Sequence, residues 1–85
     1  MNEPSSGADT GLPDHVYDLT LLLQQAAEDA RRYDAFAHDA RTAGDDALAD
    51  WCEELASSDR DVVAKAARML HERLSALVAN GRPQT

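Results

Sequence analysis

Val16, Leu19, Leu23, Ala26, Ala30, Tyr33, Ala37, Ala40 and Gly44 follow one another at alternating intervals of three and four residues. A repeat of this kind places every member on one stripe of an α-helix and excludes the alternating pattern of a half-buried strand. The stripe ends at Gly44-Asp45-Asp46, where a second apolar-periodic segment begins. Glycine supplies the left-handed stop of a helix and aspartate the N-cap of the next. The expected architecture is all-α: a long antiparallel two-helix hairpin that packs along a line of mostly small side chains.

The punctuation predicts the boundaries. Residues 1–11 contain two glycines, two serines and a proline, with no large apolar residue after Met1, and are expected to be a disordered tail. The hairpin is expected over 12–80, with a helix over 13–43 started by Pro13 and Asp14, a turn at 44, and a helix over 45–80. Asn80-Gly81 and Pro83 are expected to end it, leaving 81–85 as a C-terminal tail. In the second helix Asp45, Asp46, Asp50, Glu53 and Glu54 come first, and Arg60, Lys65, Arg68 and Arg73 follow. That order complements the helix dipole. The apolar positions are Leu48, Cys52, Leu55, Val63, Ala66, Leu70, Leu74 and Leu77, with Asp59 interrupting them. Ser57-Ser58-Asp59 can also cap a separate third helix, but the periodicity crosses the interruption in phase.

Composition sets the function classes. Sixteen acids oppose eight bases, a net charge of −8 that repels nucleic acid and anionic lipid. The acidity serves solubility or, on the alternative reading, docks a basic protein partner. No apolar run approaches membrane-spanning length, and none reads as a secretory segment. Cys52 is the single cysteine, so an intrachain disulfide and a Cys-x-x-Cys metal site are both excluded, and a cytoplasmic protein is expected. The chain of 85 residues is one domain near the lower size limit for a self-sufficient core. Leu22 and Phe36 flank the first seam, and Trp51 and Met69 flank the second. Two helices leave half their surface wet, so a homodimer forming a four-helix bundle is expected.

The stretch Asp29 to Ala40, with its Ala-x-x-x-Tyr and Phe-Ala-x-x-Ala, then Gly44, Leu48-Ala49, Glu53-Glu54 and Ala56, resembles the first helical pair of rubrerythrins and the wider ferritin-like superfamily. The resemblance covers about forty residues, Ala26 to Lys65. Encapsulated ferritins are similar in another respect, being single hairpins that complete the bundle by dimerising. The resemblance implies a di-iron centre held by a carboxylate on the first helix and a Glu-x-x-His on the second. Those positions fall on Ala26, Asp59 and Val62, so two ligands are missing and the third is shortened. The resemblance therefore implies the fold and argues against the activity.

No other constellation carries chemistry. His15, His38 and His71 form neither His-x-x-x-His nor Glu-x-x-His. A Ser-His-Asp order and a glycine-rich phosphate loop are absent. Glu28, Asp29, Asp59 and His71 are the alternative metal ligands, with iron as the metal; a solvated acidic face, or pairing of Asp59 with Arg31 or Arg32, is the plainer reading. Cys52 is expected to be a buried, inert thiol. No cofactor and no catalytic residue are expected, and the chain reads as a structural or interaction protein, not an enzyme. Its packing seam is expected at Leu23, Ala26, Ala30, Tyr33, Ala37, Leu55, Val63 and Leu70. An acidic adaptor or antitoxin-like partner of a basic protein is the further alternative.

Overall fold

A computed structural model describes residues 11–81. Helix α1 spans Asp14–Thr42 and helix α2 spans Asp46–Gly81, 29 and 36 residues long. They are joined by a three-residue turn at Ala43, Gly44 and Asp45. Among the described residues there is no strand, and no helix is long and apolar enough to cross a membrane. The expected tails over 1–10 and 82–85 lie outside the described residues.

The turn is where local chemistry is most legible. Gly44 takes φ +84°, which a β-carbon disfavours. Its N–H donates to the Arg41 carbonyl (3.0 Å), and the Asp45 N–H donates to the Ala40 carbonyl (2.8 Å). This crossed pair of bonds is a Schellman stop, which satisfies carbonyls that the end of α1 leaves open. Asp45 then starts α2 at once. Its carboxylate accepts the Leu48 N–H (3.1 Å) and its carbonyl accepts the Ala49 N–H (3.0 Å). One residue thus closes one helix and caps the next, which forces the chain straight back on itself.

At the other end, Pro13 (φ −58°, ψ 149°) stands just before α1 instead of inside its first turn. Its carbonyl accepts the N–H groups of Val16 and Tyr17, both at 3.0 Å. Helix α2 runs unbroken through Ser57-Ser58-Asp59, so there is no third helix there. It continues through Gly81, the last described residue, one position past the expected stop at 80.

The core is made of small side chains. Val16, Ala26, Ala30, Ala37 and Ala40 of α1 are buried against Ala49, Cys52, Ala56 and Ala66 of α2. Leu19, Leu23 and Tyr33 of the α1 stripe are half-buried. Alanines let two backbones approach closely, and close approach excludes water from whatever lies between them. In α2 the seam is phased one position away from the expected Leu48 and Leu55. Ala49 and Ala56 are 0% exposed, whereas Leu48 is 43% exposed and Leu55 is half-buried beside them. Leu74 is likewise displaced outward, and Arg73 is the half-buried neighbour. The smallest residue wins the closest position because a leucine there would push the helices apart.

Candidate interaction surface

Residues seven apart run along either edge of each seam. On one edge lie Asp34 and Arg41 of α1 with Glu53 and Arg60 of α2. Arg60 pairs with Asp34 across the hairpin. Arg41 gathers three carboxylates from beyond the turn: Asp50 and Glu53 at 3.0 Å each, and Asp46 at 3.4 Å. Asp50 first, then Glu53, raise the Arg41 pKa above its ordinary value by hydrogen bonding to the charged form. Asp34, Arg41 and Glu53, with Ala37 and His38, line an open recess of about 270 Å³. Its acids, Asp34 and Glu53, already accept from arginines of the same chain.

The opposite edge has the reverse character. Leu22 and Phe36 of α1 lie there, seven residues either side of Asp29, with Leu48, Leu55, Val62 and Met69 of α2. Leu19, Leu22, Val62, Lys65, Ala66 and Met69 line an apolar groove of about 220 Å³. Trp51 stands one turn from Leu48 and Leu55 on the same side. Leu22 (50%), Phe36 (45%), Leu48 (43%), Trp51 (58%) and Val62 (40%) are exposed. Phe36 is held by the half-buried Tyr33, edge to face, with ring centroids 6.1 Å apart. Near the turn the hairpin therefore has ion pairs along one broad side and exposed apolar side chains along the other, and Leu74, 36% exposed, continues the Glu53–Arg60 edge toward the open end.

Of the expected seam, Ala26, Ala30 and Ala37 are buried, and Leu23, Tyr33, Leu55, Val63 and Leu70 are half-buried. The cross-helix neighbours Asp34–Arg60 on one side and Leu22–Val62 on the other bracket a register that sets Tyr33 level with Ala56. Cys52 is buried in that seam with a free thiol.

The alternative metal ligands are not assembled. Among the described residues, no three His, Cys, Asp or Glu side chains come together at metal-binding range. Glu28 accepts from Gln24 (3.3 Å), and Asp29 accepts from Gln25 (3.2 Å) and Arg32 (2.6 Å). Asp59 is half-buried, and Arg32 pairs with Asp29 instead of with it; His71 is exposed. Ala26 is buried where a first-helix carboxylate would stand, and Val62 is 40% exposed where an imidazole would stand. The donor set does not fit a di-iron centre.

The arginine hub and the two-sided character went unread in the sequence. Both follow from applying the fold-back at Gly44 to the edge residues and not to the seam alone. Compared with family models, curated proteins and solved structures, the chain matches none.

Proposed function

We propose that this chain is a structural or protein-interaction module of ferritin-like ancestry. It acts as a homodimer whose two hairpins build a four-helix bundle, and it performs no catalysis. The observation that carries this reading is the apolar broad side: five large side chains, from Leu22 to Val62, lie 40% or more in water although the seam beside them is closed. A two-helix layer has no third element to cover that side, and a bundle of four helices covers it completely. Metal chemistry has little support, because the donors Glu28, Asp29, Asp59 and His71 are dispersed.

The test is solution mass and metal content on one purified sample. The reading expects a dimer with far less than one iron or manganese per chain. A monomer, or stoichiometric metal that is lost on Asp59→Ala, would refute it.

A second reading has a specific observation behind it. The side chains of Asp46, Asp50 and Glu53 remain 74%, 68% and 56% exposed although all three converge on Arg41. This acidic turn end suits a basic protein partner. Capture of such a partner would weaken steeply with salt, and neutralising Asp46, Asp50 and Glu53 together would abolish it.

A further inference from the structure

We propose that the second copy lies head to tail: the acidic turn end of one hairpin covers the open end of the other, with α2 on α2 and α1 on α1. This inference rests on the dimer reading above and specifies its geometry.

The apolar side is balanced about its middle. In α2, Leu48, Trp51 and Leu55 lie to one side of Ser58, and Val62 and Met69 lie to the other. In α1, Phe36 and Leu22 lie to either side of Asp29. A two-fold axis crossing the hairpin at Ser58 and Asp29 carries Leu48 onto Met69, Leu55 onto Val62 and Phe36 onto Leu22, so apolar groups meet at these three places, while Trp51 falls at the level of Lys65 and Ala66. Asp29 enters such an interface already paired with Arg32 at 2.6 Å. At the axis Asp29 meets Asp29 of the second copy, each charge offset by its own Arg32, and a slipped register would set this polar group against leucine.

Charge separates this arrangement from its competitor. Residues 39–54 at the turn end carry six acids (Asp39, Asp45, Asp46, Asp50, Glu53, Glu54) and one base, Arg41. The segments that the axis sets over them, 16–19 and 63–72, carry two bases (Lys65, Arg68) and two acids (Asp18, Glu72) and so add no further negative charge. Head-to-tail stacking brings Glu54 level with Lys65 of the second copy. The competing dimer has its axis along the hairpin and stacks two acidic turn ends on each other, which like-charge repulsion opposes. That dimer places α1 on α2 and brings Phe36 to Leu55.

Single-thiol versions of the full chain distinguish the two. In a Cys52→Ala background, Leu48→Cys, Met69→Cys, Leu55→Cys and Phe36→Cys are prepared separately, mixed in pairs and oxidised gently. The Leu48→Cys and Met69→Cys pair should give at least five times more cross-linked dimer than the Leu55→Cys and Phe36→Cys pair. Dominance of the latter pair overturns the head-to-tail arrangement and leaves the dimer reading intact; a chain that stays monomeric overturns both. Because these substitutions thin the apolar side, a spin label at the exposed Asp46→Cys gives an independent distance. Head to tail, the two labels stand about 35–40 Å apart, at about 1.5 Å per residue from the axis. A separation under about 20 Å places the turn ends together and overturns the proposal.

Discussion

Leu22 of α1 and Val62 of α2 face one groove from opposite helices, yet they remain 50% and 40% exposed. Their counterparts on the other side of the same seam, Asp34 and Arg60, form an ion pair. Exposure is ordinary for the charged pair, because surface ion pairs keep much of their hydration. For the apolar pair it leaves hydrophobic burial unrealised, at about 25 cal/mol for each Å² still in water. The asymmetry gives the hairpin a direction: an ion pair on one side, exposed apolar side chains on the other.

Trp51 reports on that layer directly. It is the single tryptophan and 58% exposed in the isolated hairpin. Its emission should therefore move to longer wavelength on dilution, as dimers separate. An emission maximum independent of concentration across the micromolar range, at the wavelength of an exposed indole, would contradict a dimer formed on this side.

Gly44→Ala isolates the backbone term at the turn. A β-carbon there meets nothing within 4 Å, so the cost comes from φ +84° alone. The expected loss is about 1–2 kcal/mol in urea unfolding. Gly44→Asn should lose less, since asparagine tolerates the left-handed region. Equal stability of all three chains would remove Gly44 from the account of the turn.

Asp45→Ala removes the carboxylate that accepts the Leu48 N–H. Loss of an N-cap costs about 0.5–2 kcal/mol. The same urea titration measures it, and Asp45→Asn should retain most of the stability. An Ala variant as stable as the Asn variant would mean the cap contributes nothing.

Ala56→Leu probes the closest approach of the helices. Ala56 is 0% exposed, so three added carbons must push α1 away or distort the seam. Ala37, 4% exposed on the facing helix, responds in the same way to Ala37→Leu. Each should cost about 1–3 kcal/mol. A raised melting temperature for either would show a cavity where the account requires tight packing.

Asp59→Leu tests the one acid in the seam. The residue is half-buried and forms no ion pair with Arg31 or Arg32 among the described residues, Arg32 being engaged by Asp29. An apolar side chain at that level should stabilise the protein by about 1 kcal/mol. Destabilisation would assign Asp59 a structural partner within the bundle.

The α1 stripe was legible because its intervals alternate without interruption, and eight of its nine members are buried or half-buried; the ninth, Gly44, forms the turn. The turn was legible because glycine and aspartate each do something there that few other residues can. Helix α2 was read in nearly the right phase, but Leu48 and Leu55 drew the stripe toward the larger side chains. Contact between helices selects for size as well as polarity, and Ala49 and Ala56 fit where leucine does not. The candidate site was less legible. Leu22, Phe36 and Trp51 could be seen to flank a seam, but their common side follows only once both helices are placed against each other. Arg41 and its three carboxylates required the same step.

Sedimentation equilibrium of the full chain tests the central claim most directly. At micromolar concentration the account predicts a species of twice the 9.2 kDa chain mass, reduced to one chain mass by Leu22→Glu or Val62→Glu and unaffected by Arg60→Gln on the charged side. A cooperatively folded species at 9.2 kDa, or a dimer indifferent to glutamate at Leu22 and Val62, would contradict it.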